Sequence, residues 1–279
     1  MDRNELQYWV ALGRVPQIGR ARIGLLEAHF GCMEDAWGAS PATLQAAGLT
    51  GKALSALLAA RDSISPESEL EKLDRLGIRA LTWNDDGYPP RLKEIYDKPP
   101  ILYVRGQLKA ADEWAVALVG TRRATPYGRQ VAEEMAAGLA QNGITVVSGL
   151  ARGIDTVGHK VALASGGRTL AVLACGLDLV YPRENLTLSR EIMERGALLS
   201  DYPLGTQPQA EFFPRRNRIM VGLSLGVLVV EGGVKSGALI TARQALDENR
   251  EVFAVPGSIF APTFGGTNWL IQEGQAKLV

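Results

Sequence analysis

From Trp114 onward, short apolar runs recur along the chain: Ala115–Val119, Ile144–Val147, Thr169–Ala174, Ala197–Leu199, Leu225–Val230 and Val252–Val255. Between them lie stretches with helical periodicity, Tyr127–Gln141, Ile154–Leu163, Glu184–Arg195, Pro214–Gly222 and Gly237–Glu248, and a last helix follows the turn F-G-G-T-N (Phe264 to Asn268). Alternation of this kind predicts an α/β fold, a doubly wound parallel sheet with helices on both faces. The runs are apolar at successive positions, as strands covered on both sides require. Ligands of such sheets bind beyond the carboxyl ends of the strands, so the residues just after each run are the first candidates for function.

The pattern upstream is different. Residues 1–65 read as short helices. Leu6, Val10 and Leu12 begin an apolar face that V-P-Q-I-G-R-A-R (Val15 to Arg22) interrupts, and a helix from Arg22 to Phe30 ends at Gly31, a natural C-cap. A-A-G-L-T-G-K-A-L (Ala46 to Leu54) repeats the order helix, glycine turn, helix. Turn amides near Gly19 or Gly51 suit either a phosphate or a packing corner. Arg20, Arg22 and Lys52 are the only cations that favour the phosphate, and without a wider basic surface the packing corner is preferred. Ser63–Glu69, polar and containing Pro66, reads as a linker. A helix from Glu67 to Leu76 ended by Gly77 follows, then strands at Ile78–Trp83 and Ile101–Val104 joined by the turn-rich N-D-D-G-Y-P-P-R-L. The expected division is a small all-α domain, 1–65, and an α/β domain, 66–279.

Composition narrows the picture. The 279 residues, 46% of them hydrophobic, suffice for one large and one small core. Thirty basic and thirty acidic side chains cancel, so any polyanion site must be local. Cys32 and Cys175 are far apart and match no metal spacing, which fits a reducing compartment. The start, M-D-R-N-E-L-Q, has no apolar signal core, and no uncharged run is long enough to span a bilayer. A cytoplasmic protein is expected.

The strongest local cation cluster is E-F-F-P-R-R-N-R-I-M (Glu211 to Met220). Pro214 suits the first position of a helix whose free N–H groups attract anions. Arg215, Arg216 and Arg218, with Asn217 among them, offer forks for phosphate oxygens, and Phe212 or Phe213 offers a face to a base. The segment reads as a clamp for an unpaired nucleic-acid strand, or else as a basic helix start whose phenylalanines are core. Further candidates stand at the strand ends. Gly120, Thr121 and Arg122 begin G-T-R-R-A-T-P-Y-G, where Thr125 and Pro126 suit N-cap and N1. Gly149 and Gly153 bracket S-G-L-A-R-G-I-D, a candidate anion cradle. C-G-L-D-L-V-Y-P-R-E-N contributes Arg183, and Lys235 and Ser236 lead E-G-G-V-K-S-G-A into a helix. Together these turns predict Arg122, Arg152, Arg183, Lys235 and the Arg215–Arg218 cluster along one edge.

Enzymatic signatures are sparse. No G-x-G-x-x-G follows a strand, and G-G-V-K-S departs from a Walker A end at Val234. His29 lies on an apolar helix. His159 follows Asp155 by four residues, a spacing that suits acid–base work or, more commonly, a local hydrogen bond fixing a turn. No catalytic residue and no cofactor is assigned.

V-G-T-R-R-A-T-P-Y-G, S-G-L-A-R-G-I-D, C-G-L-D-L-V-Y-P-R-E-N, F-P-R-R-N-R-I-M-V-G-L-S, K-S-G-A-L-I-T-A-R-Q-A-L and V-F-A-V-P-G, in order between about Tyr88 and Lys277, closely resemble the DprA (Smf) family of DNA-processing proteins. The resemblance implies an extended Rossmann-like domain that binds single-stranded DNA. The N-terminal helices are similar to the family's sterile-alpha-motif-like or helix-hairpin-helix region. It also implies a homodimer that protects incoming strands and helps load the recombinase RecA in natural transformation, with single-strand-binding protein as a further partner. Carried over motif by motif, the DNA-contacting residues that the resemblance implies are Arg122, Arg183, Phe213, Arg216, Asn217, Arg218 and Lys235. Many members add a C-terminal winged-helix-like domain after the last Rossmann strand. This sequence stops at Ala276–Val279, about where that strand is expected, so it is either a short member or a truncated one, and nothing is assigned to that domain. Two rivals stand beside this reading. A nucleotide hydrolase of the phosphoribohydrolase type would want the same phosphate-cradling turns plus a carboxylate at the sugar, for which Glu231 is the candidate. A scaffold would use its N-terminal helices to recruit partners.

Overall fold

The computed structural model describes all 279 residues, and they divide into two compact units. The first comprises Met1–Tyr88 with Asp97–Tyr103. Its helices are α1 (Arg3–Gly13), α2 (Arg20–Phe30), α3 (Met33–Gly38), α4 (Pro41–Ala46), α5 (Gly51–Arg61) and α6 (Pro66–Arg75), followed by strand β1 (Ile78–Thr82). Trp9, Leu12, Ile23, Leu26, Leu44, Leu57 and Leu73 are fully buried. The expected linker at Ser63–Glu69 is instead a helix start. Pro66 occupies the first helical position, and the Ser65 hydroxyl accepts the Ser68 amide at 3.3 Å. α6 buries Leu70 and Leu73, and its Glu69 pairs with Arg14 just after α1 at 2.9 Å. The structure thus groups α6 and β1 with the N-terminal helices, whereas the division read from sequence falls at 65/66. Gly31 and Gly77 end α2 and α6 at φ 70° and 64°, the left-handed conformation that glycine adopts without steric cost.

The second unit comprises Pro89–Tyr96 and Val104–Val279. After the short α7 (Pro90–Glu94) and β2 (Ile101–Gly106), whose first three residues belong to the first unit, come β3 (Ala115–Gly120), α8 (Pro126–Gln141), β4 (Thr145–Ser148), α9 (Ile154–Ala164), β5 (Thr169–Val172), α10 (Leu186–Arg195) and β6 (Ala197–Ser200). The chain ends with α11 (Phe212–Leu223), β7 (Gly226–Glu231), α12 (Gly237–Asp247), β8 (Glu251–Ala254), α13 (Gly265–Gln272) and β9 (Lys277–Leu278). Seven strands pair in parallel in the order β6-β5-β4-β3-β7-β8-β9, with Val116 beside Val146 on one side and Gly226 on the other. The doubly wound α/β fold expected from the alternation, Rossmann-like as the family resemblance implies, is present.

One face of the sheet packs Leu118, Val146, Leu228 and Val230 against Ala132, Ala136 and Ala140 of α8 and Ile154 and Ala162 of α9. The three alanines recur every fourth residue, so a smooth stripe of α8 lies close on the strands. Successive strand residues point to opposite faces, which turns Val119 toward α11 and α12. Strands β4, β5 and β6 build outward from β3 on one side, and β7, β8 and β9 on the other. The order therefore reverses between β3 and β7, and a crevice beyond their carboxyl ends is the geometric consequence.

Candidate functional site

At that reversal lies a cavity of about 390 Å³. Val119, Gly120, Thr121, Arg122 and Arg123 come from the end of β3. Ala151 comes from the turn before α9 and Asp155 from its first turn, Phe213, Pro214, Arg216, Asn217 and Met220 from α11, and Ser236, Gly237, Ala238 and Thr241 from the start of α12.

The floor is built around Arg216. Its side chain is 3% exposed and donates a hydrogen bond to the carbonyl of Val172 at the end of β5, while its Nε has no acceptor. A Cβ at residue 149 would collide with the guanidinium, so only glycine leaves room for it. Burial lowers the Arg216 pKa to about 10, opposed by the nearby carboxylate of Asp155; it remains a cation at neutral pH. Burial in turn raises the Asp155 pKa, with Arg216 and two backbone donors opposing. Those donors are the amides of Gly149, at 3.1 Å, and Ala151, at 3.3 Å, both on Asp155 Oδ2. The Gly149 amide expected to cradle an anion is thus already engaged inside the protein.

His159 completes this support. Its Nε2 accepts the Leu150 amide at 3.3 Å, and its Nδ1 lies 2.6 Å from Thr169 Oγ1, which donates to the Val146 carbonyl at 2.6 Å. Burial lowers its pKa to about 3, so it stays neutral. The Asp155–His159 pair therefore fixes the turn between β4 and α9, as the local hydrogen-bond reading expected.

The rim is aromatic and basic. The Arg122 guanidinium lies over the Phe213 ring, 4.9 Å from its centroid. The half-exposed ring of Tyr181 tilts against the same phenylalanine with centroids 5.8 Å apart. Phe212 instead stacks on Tyr202 at 4.5 Å. The two adjacent phenylalanines thus divide, Phe213 to the cavity and Phe212 to packing. α11 also begins earlier than expected. Phe212 is its first residue and Pro214 its third, since the missing proline N–H falls among donors that have no intrahelical acceptor anyway.

The solved DprA of Streptococcus pneumoniae superposes over 98% of this chain and 94% of its own with a TM-score of 0.84 and 36% identity. A family model described as DNA recombination-mediator protein A matches residues 79–279. This chain belongs to the DprA/Smf family. Protein Smf of Synechocystis is 40% identical over 98% of this chain and 70% of its own length. DNA processing protein DprA of Bacillus subtilis is 46% identical over 71% of this chain and 67% of its own. A structure of Helicobacter pylori DNA processing protein A, described for its single-stranded DNA binding mode, covers 72% of this chain and 90% of its own with a TM-score of 0.66 and 34% identity.

Within this DprA fold the expected site residues separate. Gly120, Thr121, Arg122, Phe213, Arg216, Asn217 and Ser236 line the cavity. Asn217 also ties α11 to α12, its amide donating to Thr241 Oγ1 at 2.9 Å. Gly120 serves packing as much as access, since a Cβ there would strike Ile154 of α9. Arg218 corrects the clamp reading. It is half-buried, pairs with Asp201 at 2.7 Å and does not line the cavity. The cause is helical geometry, because two residues along α11 turn a side chain by about 200°. Arg152 is likewise locked, in a two-pronged pair with Glu184 at 2.9 and 2.8 Å. Arg183, Arg215 and Lys235 are exposed and lie outside the cavity wall, so the single edge of cations is only partly realised. Glu231, the acid required by the hydrolase reading, is buried away from the cavity. It accepts the Thr125 amide and hydroxyl at 3.0 and 3.1 Å at the start of α8. Sequence reading missed Tyr181, Thr241, Gly237 and Ala238. The Y-P-R-E-N segment drew attention to its arginine, and nothing local ties that tyrosine to Phe213.

Proposed function

We propose that this chain binds single-stranded DNA at the cavity between β3 and β7, without sequence preference, as a recombination mediator rather than an enzyme. The observation that carries the reading is the convergence of Arg216 on the floor with Arg122, Phe213 and Tyr181 on the rim. Cations and backbone amides hold phosphates of any sequence, and aromatic faces accept any base. The similarity to the H. pylori protein, whose structure is described for that binding mode, supports the same ligand. Because Arg122 covers one face of Phe213, the exposed ring of Tyr181 is the better base platform. A crevice walled on three sides by α9, α11 and α12 favours one flexible strand over a duplex. Position of Glu231 away from the cavity speaks against sugar-phosphate hydrolysis.

The wider role we propose follows the family resemblance. The protein works as a cytoplasmic homodimer, protects incoming strands and helps load RecA during natural transformation, with single-strand-binding protein as an additional partner. No helix of the structure is long and apolar enough to cross a membrane. The deciding experiment is a salt-titrated binding curve with single- and double-stranded oligonucleotides of equal length. Single strands should bind tighter, with a log–log salt slope of about −0.7 per phosphate contacted. Equal affinity for both forms, or a slope near zero, rejects the reading.

A further inference from the structure

Four hydrogen-bond donors around the cavity lack acceptors. Arg216 Nε is buried and unpartnered, and so is the hydroxyl of Ser236. Ser236 is the N-cap of the eleven-residue α12, but its side chain caps nothing. The next two amides, Gly237 and Ala238, begin the helix with no hydrogen-bond partner. All four residues line the same cavity. Arg216 and Ala238 are buried and Ser236 is half-buried, whereas Gly237 is exposed at the mouth. Buried donors left unpaired are costly, and a helix start adds a partial positive charge. A group carrying several anionic oxygens relieves all of them at once.

The number of oxygens distinguishes two kinds of phosphate. A diester within a strand presents two free oxygens, whereas a phosphate monoester presents three and carries up to a second charge. Four convergent donors around one cationic floor suit the monoester better. The remainder of the lining fits what a nucleotide attaches to its phosphate: Val119, Phe213, Pro214 and Met220 form an apolar wall. The volume, about 390 Å³, falls in the small-ligand range of roughly 300–1,000 Å³. The one carboxylate in the lining, Asp155, is held by the amides of Gly149 and Ala151 and offset by Arg216. It is committed to the turn and leaves the ligand intact.

We propose that the cavity takes a phosphate monoester of a nucleotide, seated on Arg216, Ser236 and the first amides of α12. The monoester comes either from a free nucleoside monophosphate, which then competes with the strand, or from the phosphorylated end of a strand. This inference rests on the reading that the strand binds at the same cavity.

The test uses the whole chain and a labelled oligothymidylate of about 20 nucleotides, longer than one cavity holds. Thymidine 5′-monophosphate, thymidine and inorganic phosphate are compared as competitors at matched ionic strength. The oligonucleotide is also prepared with a 5′-hydroxyl and with a 5′-phosphate. If free nucleotide is the source, the monophosphate displaces the strand at concentrations about tenfold below those of either competitor, the gain typical of one charge-assisted hydrogen bond. If the strand end is the source, the 5′-phosphorylated oligonucleotide binds about tenfold tighter than the 5′-hydroxyl form. Ser236→Ala should reduce whichever gain appears. No gain in either arm, or a gain indifferent to Ser236→Ala, overturns the proposal. Failure of the broader reading looks different: the monophosphate then binds in direct calorimetry while neither oligonucleotide does.

Discussion

The helix starts of the first unit and those around the cavity are written with similar residues and built differently. In the first unit, Gly19 precedes α2 with Arg20 and Arg22, and Gly51 begins α5 with Lys52. These turns are exposed, with Ile18 and Leu49 buried beneath them, and Arg22 donates to the carbonyl of Gln17. In the second unit, the starts of α11 and α12 open into one concavity over a guanidinium that has no room to leave. A glycine turn beside a cation is common to both. An anion site additionally requires donors from distant segments to converge where water is scarce, because there the electrostatic gain is least screened.

Perturbing the two regions should separate them. The largest effect is expected from Gly149→Ala, whose new methyl group displaces Arg216. Overpacking of this kind costs about 1–3 kcal/mol of stability. Strand affinity should fall about a hundredfold as the floor cation is lost, matching a charged hydrogen bond of roughly 2–3 kcal/mol. Denaturant melts and anisotropy titrations report the two losses, and native affinity in this variant would refute the role of the floor.

Acid should weaken the second unit through His159. Its pKa is near 3 in the fold and about 6.5 when unfolded, so between those values the unfolded chain binds a proton that the fold excludes. Stability is complete above about pH 6.5 and falls as pH drops toward 3, by up to about 1.4 kcal/mol per pH unit. Urea melts at pH 7, 6 and 5 test this, and His159→Asn should flatten the profile. Equal slopes in the two proteins would reject the assignment.

Arg122→Ala should lower strand affinity by about tenfold and reduce the salt slope by about 0.7, the contribution of one phosphate. Its neighbour in the clamp reading behaves oppositely. Arg218→Ala should cost about 1 kcal/mol or more of stability by stranding Asp201, yet leave affinity per folded molecule within about twofold. The smallest change is expected in the first unit. Replacing Arg20 and Lys52 together with glutamate should alter affinity by less than about threefold, the size of a change in solvent-exposed surface charge. A tenfold loss there would erase the contrast between the regions.

Much of the architecture was legible because its causes are local. The strands Ala115–Gly120 and Gly226–Glu231 begin and end within a residue of the apolar runs. Gly31 and Gly77 end helices as their backbone freedom predicts. Thr125 and Pro126 are the N-cap and first residue of α8, with the Thr125 hydroxyl accepting the Gly128 amide at 3.0 Å. Pro66 was misread, since a proline after a serine suits a helix start as well as a linker, and only the burial of Leu70 and Leu73 decides between them. Arg122, Phe213 and Arg216 were readable as candidates. That Arg216 turns inward while Arg218 meets Asp201 was not.

The residue pattern alone determined the order of strands and helices, the side of the sheet where a ligand belongs, and the short list of cations able to hold it. Periodicity and capping are properties of neighbouring residues, so they survive in one dimension. The tertiary structure alone decided which cations are used. Gly149 and Val172 accommodate Arg216, Asp201 takes Arg218, Glu184 takes Arg152, and Thr125 takes Glu231. Each of those partners lies 17 or more residues away along the chain. A charge is free or committed according to what surrounds it in space, and strand pairing fixes that only when the sheet is assembled.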